Sequence, residues 1–356
     1  MEKHSKEFLY ELLTTPSPSG YEQPVQRVVR RYMEPYADSI ESDLHGNLIV
    51  GLNTKASRRV MLCGHCDQIG LMVRHITKEG FIYVGPLGGV DVAVLYGANV
   101  TIHAKKGAVS GVLGVKPIHS RTSEERDKQK LDIEKIWIDI GAKDRKEAEG
   151  RIEIGDPVTF KLGVTELSPD LLSGPGLDDK VGLFVAMEAL RLCAEQKKPL
   201  PVALYSVGTV QEEVGRRGAI TASYGIDPEV GIAIDVTHAS DNPGNDNPRD
   251  TTIRLGGGPA INRGPNVNPV VDSMLFAAAK KGRIPHQPLP SPRLLGNDAY
   301  YLQVSRAGVA AGSIGVPNRY MHTQVEVCSL KDLENCAKLL AAFVRSITPK
   351  TDFRPS

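Results

Sequence analysis

Five segments of the chain place metal-binding or proton-moving side chains at or just past strand-like runs: His65 and Asp67, Asp178 and Asp179, Glu212 and Glu213, Asp235, and His322. The densest is Ser206–Gly218, SVGTVQEEVGRRG. It follows the continuous apolar run Val202–Val207, a pattern typical of a strand buried on both faces. Adjacent carboxylates at the mouth of such a strand repel each other, so the fold must bring positive charge there. A metal ion is the commonest source. His65 and Asp67, two apart in an extended stretch, point the same way, so one can ligate while the other orients it. Mixed imidazole and carboxylate ligands suit zinc, cobalt or manganese, whereas oxygen ligands alone would indicate magnesium or calcium. Taken singly, Asp235 could cap a turn and Asp178 could be a helix N-cap. Five such places in one chain are harder to dismiss, because ligands in open α/β sheets bind beyond the carboxyl ends of strands.

The elements that must position these residues alternate in texture. Residues 1–35 read as helix, turn, helix, with Phe8, Leu9, Leu12 and Leu13 on one face of the first and Pro35 closing the second. Asp43–Gly51 reads as a hairpin turning at Gly46-Asn47, and Arg59–Cys63 as a strand ending in GHCDQIG. From about Val73 to Leu162, short β-type runs recur between Gly, Pro and Asp, with a loop at Pro117–Lys130; this predicts an all-β insertion. After Gly163, GPGLDDKVG leads into a helix at Val181–Glu195. Strands at Val202–Val207, Val230–Asp235 and Val309–Gly315 follow, with helices near Val271–Lys281 and Leu330–Val344. The expected fold is α/β: a mostly parallel central sheet flanked by helices. It divides into a discontinuous α/β domain at 1–72 and 163–356 and an inserted β domain at 73–162.

Composition narrows the function. A net charge of +1 leaves no basic excess for nucleic acid or an anionic membrane surface. No apolar stretch approaches the roughly 20 residues that span a bilayer, and the N-terminal segment lacks a hydrophobic signal core, so a cytoplasmic location is expected. Five cysteines, an odd count, do not form a disulfide framework; Cys193, Cys328 and Cys336 read as packing residues. The charged block Arg121–Lys130 reads as a solvated loop or helix. Gly256-Gly-Gly-Pro259 lacks the following Lys-Ser/Thr of a phosphate loop and reads as a tight turn.

The motifs SPSGYE, GHCDQIG, GVLGVKPIH, GPGLDDKVG, TVQEEVGRRGA, GIAIDV, GPNVNP and RYMHTQVEV together resemble the co-catalytic metallopeptidases that include the tetrahedral and glutamyl aminopeptidases, some labelled deblocking aminopeptidase or cellulase. The resemblance runs over nearly the whole chain. It implies two divalent ions per subunit, zinc or cobalt with manganese as a further option. Asp178 would bridge them, His65 and Asp235 would complete one shell, and Glu213 and His322 the other. Glu212 would be the general base and Asp67 the residue that orients His65. The Asp178–Asp179 peptide is typically cis in that family. The activity implied is hydrolysis of N-terminal residues from short peptides with a free N-terminus, through a water activated by both ions. The inserted β domain would mediate dimerisation, with dimers assembling into a hollow dodecamer. His119 would then approach a neighbouring subunit's site, unless it is simply a surface-loop histidine.

The chain departs from that family's pattern at Cys66 and Gln68, where Met and Glu are usual, and at Asn297, where Thr is usual. Two rival readings remain. One is a two-metal deacylase or carboxypeptidase of the same clan. The other is a thiol-disulfide protein using Cys63-Gly-His-Cys66, although no Trp precedes that tetrapeptide and the residues after it do not read as a helix.

Overall fold

The computed structural model describes residues 1–122, 132–196, 198–245 and 251–355. Most of the charged block expected at Arg121–Lys130, and of the loop expected at Pro117–Lys130, lies outside the described residues. The chain opens with helices Lys3–Thr14 and Gln23–Met33 and a hairpin of β1 (Ser39–Ser42) and β2 (Leu48–Leu52). The first helix buries Phe8, Leu9, Leu12 and Leu13, the stripe its spacing predicts. The hairpin turn is tied by Asp43, whose Oδ1 accepts from the backbone N–H groups of His45, Gly46 and Asn47.

After β3 (Arg59–His65), six strands close into a barrel: β4 (Gly70–Ile76), β5 (Ile82–Leu87), β6 (Asn99–Ala104), β7 (Gly107–Gly114), β8 (Trp137–Asp139) and β9 (Pro157–Phe160). Their order is β4-β5-β8-β7-β6-β9. Inward residues such as Ile82, Ile102, Ile138 and Val158 fill a separate apolar core, and closure removes the open edges that a sheet would otherwise expose. This is the β texture read between Val73 and Leu162.

The remaining strands are β10 (Thr165–Glu166), β11 (Leu171–Gly174), β12 (Ala203–Thr209), β13 (Val230–His238), β14 (Ala260–Arg263), β15 (Gln287–Pro290), β16 (Ala310–Arg319) and β17 (Glu326–Ser329). With β1 to β3 they form an 11-stranded sheet in the order β1-β2-β12-β3-β13-β16-β17-β11-β10, with β14 on β16 and β15 on β14. Here the expectation of a mostly parallel sheet needs correction. Along this path β12, β3, β13 and β16 are mutually parallel, and the flanking pairs are antiparallel. For the three pairs of consecutive strands the reason is connection length. Tight turns join β1 to β2, β10 to β11 and β16 to β17, and a short turn can only return a strand antiparallel; parallel neighbours need a long crossover.

Helix Leu177–Ala194 lies against the sheet centre and is buried on nearly every side, its charged residues Asp178, Asp179, Lys180, Glu188 and Arg191 included, which explains why its apolar residues are not confined to one stripe. Its approach depends on two glycines: a Cβ on Gly64 of β3 would lie 2.3 Å from the Gly182 carbonyl carbon. Helices Pro269–Gly282 and Leu330–Ser346 begin at the expected places, capped by Asn268 and Ser329 side chains. Helices Arg217–Ile226 and Ala299–Gln303 were not anticipated; one is interrupted by glycine and serine, and the other is a single short turn. Among the described residues, no helix is long and apolar enough to cross a membrane.

Candidate metal centre and active site

The parallel core fixes where chemistry can occur. His65 ends β3 and pairs with Thr209 at the end of β12, so Glu212 and Glu213 emerge beside it. Asp235 sits in β13, the neighbour of β3 on its other side. Asp178 enters after β11 at the start of the buried helix, and His322 lies in the turn between β16 and β17. The Asp178–Asp179 peptide is cis.

All five anticipated metal-ligand side chains converge. His65 Nε2 lies 3.1 Å from Asp178 Oδ1 and 3.8 Å from Asp235 Oδ1. His322 Nε2 lies 3.2 Å from Asp178 Oδ2 and 3.5 Å from Glu213 Oε1. Two ligand groups result, His65–Asp178–Asp235 and Asp178–Glu213–His322, each with its donor atoms within 4.8 Å of one another. Asp178 belongs to both and turns one carboxylate oxygen to each histidine. Glu213 Oε1 is buried and accepts no hydrogen bond, an orphaned acceptor of the kind a cation would satisfy. The donor set therefore fits two borderline divalent ions.

Each histidine is anchored through its other nitrogen. His65 Nδ1 is 3.0 Å from the Asp67 carbonyl oxygen and 3.3 Å from Asp67 Oδ1. His322 Nδ1 is 2.8 Å from the carbonyl oxygen of Gly89, in the loop that follows barrel strand β5. With Nδ1 held by a backbone carbonyl, each ring turns Nε2 towards Asp178, and that nitrogen is free to ligate once it gives up its proton. The barrel loop thus reaches the site, and Gly88 lets it do so: its φ is +81°, and a Cβ there would stand 3.0 Å from Glu213 Oε2.

Buried carboxylates hold the rest. Asp67 accepts from Ser19 Oγ at 2.6 Å and from the backbone N–H groups of Glu212 and Glu213 at 3.0 and 3.2 Å. Asp179, rather than Asp178, caps the helix: its Oδ1 accepts from Gly182 N–H, and its Oδ2 accepts from His65 N–H. Glu326 on β17 accepts from Asp178 N–H at 2.8 Å and His322 N–H at 3.0 Å, tying two ligand backbones to one side chain. Arg216 donates to Glu212 Oε1 at 2.9 Å and to the Gly296 carbonyl at 2.6 Å. Ser19, Glu326 and Arg216 were not singled out from sequence. The HxxxE spacing from His322 to Glu326 and the EExxR spacing from Glu212 to Arg216 were the available signals.

The electrostatics are those of a crowded acidic pocket. Burial, reinforced by the Asp178 charge, pushes Glu213 up to about 8. Burial raises Glu212 as well, against the opposing pull of His65 and Arg216. Burial also drives Asp235 well above the carboxylate range. At Asp178 burial acts upward too, but hydrogen bonds with His322 and His65 outweigh it and hold the group below its usual range. His322 rises to about 9, mainly through its hydrogen bond to Asp178. Such a set of acids calls for cationic compensation.

The residues that depart from the family pattern are all buried or lining. Cys63 and Cys66 are fully buried, in β3 and just beyond it, and burial drives both thiols well up. Reactive thiols are thiolates in electropositive, accessible settings, so the disulfide-exchange reading has no physical basis here. Gln68 accepts from Lys180 Nζ at 2.6 Å, while its own Nε2 is buried without a partner. Asn297 donates to Ser313 Oγ and lines the cavity. His119 lies exposed in a short 3₁₀ turn.

The ligand groups open into a cavity of about 560 Å³, within the size range of small-molecule sites. With this geometry in view, comparison with known proteins is specific. The M42 glutamyl aminopeptidase family profile matches residues 46–339. A lysyl aminopeptidase of Pyrococcus furiosus is 39% identical over 98% of this chain and 99% of the relative. Among solved structures, a TET aminopeptidase from a marine-sediment Thaumarchaeota archaeon superposes with a TM-score of 0.92 at 32% identity, covering 97% of both chains. A Pyrococcus horikoshii TET1 peptidase, which can assemble into a tetrahedron or a large octahedral shell, gives 0.85 at 30% identity over 96% of this chain and 100% of that one. The chain belongs to the M42 glutamyl aminopeptidase family and is a hydrolase acting on peptide bonds.

Proposed function

We propose that the protein is a two-metal aminopeptidase that removes N-terminal residues from short peptides with a free N-terminus. The observation that carries this is Asp178, whose two carboxylate oxygens face His65 and His322 separately. His65, Asp178 and Asp235 would hold one divalent ion, and Asp178, Glu213 and His322 the other, with zinc or cobalt the best match to these donors and manganese acceptable. When bound, such a pair polarises the scissile carbonyl and makes water acidic enough to attack near neutral pH.

The chain's own residues supply the proton path. Arg216 holds Glu212 Oε1, leaving Oε2 to take a proton from the attacking water and return it to the leaving amine. Asp67 fixes His65 and, through two backbone N–H groups, the Glu212–Glu213 pair. Residues 1–72 and 163–356 would form the catalytic domain. Residues 73–162, which carry all of the barrel but the first three residues of β4, would form the dimerisation insert, with higher assembly of the kind described for the TET1 peptidase, up to a dodecamer, and a cytoplasmic setting.

The deciding experiment is hydrolysis of free and N-acetylated aminoacyl amides by chelator-stripped protein, before and after addition of cobalt or zinc. Metal-restored cleavage confined to free amines is expected, and Glu212→Gln should lose it while retaining metal. Cleavage of acetylated substrates alone would make the protein a deacylase instead.

A further inference from the structure

We propose that the cavity accepts an uncharged side chain at the N-terminal residue of its substrate and rejects lysine and arginine there, with Asn262 as the specificity-determining residue. This rests on the aminopeptidase reading above. Asp178, Glu212, Glu213 and Asp235 are the carboxylates among the described residues lining the cavity, and all four already belong to the ligand groups or hold the base position. The wall beyond them is built on β14 and on β15 with the segment that follows it. β16 pairs with β13, and β14 pairs with β16, so Asn262 lies two strand spacings, roughly 10 Å, from the Asp235 strand.

That wall is neutral and largely paired within itself. Asn262 Nδ2 donates to Ser313 Oγ at 3.0 Å, and Ser291 Oγ donates to Asn262 Oδ1 at 2.7 Å. Asn297 Nδ2 also donates to Ser313 Oγ at 3.0 Å, while Asn297 Oδ1 accepts from Ala299 N–H. Leu289 and Leu295 complete the wall. An ammonium or guanidinium placed against these groups would lose its water without meeting a counter-charge. Among the described residues, Arg216 is the Lys or Arg that lines the cavity, and it is already engaged by Glu212 and by the Gly296 carbonyl. An acidic substrate side chain would have to compete with Glu212 for it. Neither sign of charge is served, whereas a leucyl, methionyl or glutaminyl side chain meets apolar walls and amide groups.

The test measures kcat/KM on leucyl, glutaminyl, lysyl and glutamyl amides for the metal-loaded wild type and for Asn262→Asp. Ser291 and Ser313 hydroxyls can both donate to a carboxylate at that position, so the variant has partners waiting; its melting temperature is recorded alongside. The wild type should favour leucyl over lysyl substrate by about 100-fold or more, the range an unpaired desolvated charge can command. Asn262→Asp should narrow that ratio at least tenfold, chiefly through a gain on lysine. A wild-type preference for lysine overturns the inference alone and leaves the aminopeptidase standing. An unchanged ratio in a folded Asn262→Asp variant removes Asn262 from the role. Absence of cleavage on every free-amine substrate overturns both readings together.

Discussion

Asp67 and Glu212 are joined by a 3.0 Å hydrogen bond from the Glu212 backbone N–H to Asp67 Oδ1, while the same carboxylate lies 3.3 Å from His65 Nδ1. One fully buried side chain thereby sets the distance between the imidazole proposed as a ligand and the carboxylate proposed as the base. An Asn at this position would aim an N–H₂ group at donors. Asp67→Asn should therefore lower activity and metal affinity at the His65 group by about 10- to 100-fold. Calorimetric metal titration and kcat would show it; unchanged values in a folded variant would make Asp67 a packing residue.

Metal uptake should depend on pH in a defined direction. In the metal-free fold, the hydrogen bond to Asp178 raises His322 to about 9, and burial raises Glu213 to about 8. Both protons must leave before these groups can ligate. Affinity should therefore climb as pH rises from about 6 and level off above about 9, with protons released on binding. Titration in buffers of different ionisation enthalpy counts those protons; pH-independent affinity would contradict the assignment of His322 and Glu213.

Gln68 gives a prediction about stability. Lys180 is fully buried and pushed down to about 7 by burial, its Nζ donating to Gln68 Oε1 and to the Thr15 carbonyl. Because its folded pKa lies below the unfolded value of 10.5, this lysine costs stability most at low pH, and stability recovers as pH rises from about 7 to 10.5. Gln68→Glu would remove an orphaned N–H₂ donor and give Lys180 a counter-charge. A gain of about 1–3 kcal/mol at neutral pH is expected, shrinking towards alkaline pH. Denaturant unfolding at several pH values measures it, and a loss of stability at neutral pH would refute it.

The five segments that form the site stand out in the sequence, because strand ends and adjacent acids mark places where charge must be compensated; which side chain of each segment would ligate is what the family resemblance implies. His65, Asp178, Glu213, Asp235 and His322 converge as anticipated. Glu326 was legible only in part: its partner His322 is 4 positions away, but its other partner, the Asp178 N–H, is 148 positions away, and a pairing across the sheet leaves no local pattern. Arg216 adopts a left-handed conformation, φ +55°, which its residue type does not advertise. The sheet's antiparallel flanks were hidden for a related reason. β10, β11 and β17 are 2 to 4 residues long, too short for periodicity to register, whereas the barrel's repeated short strands were plain from their punctuation.

The central claim, that Asp178 serves two separate ion sites, is tested most directly by titrating chelator-stripped wild type and His322→Ala with cobalt and following absorbance and calorimetric heat. The wild type should take up two equivalents per subunit. His322→Ala should retain one of ordinary affinity and lose, or bind at least tenfold more weakly, the other. A wild type that saturates at one equivalent, or a variant binding two with unaltered affinity, would contradict the account.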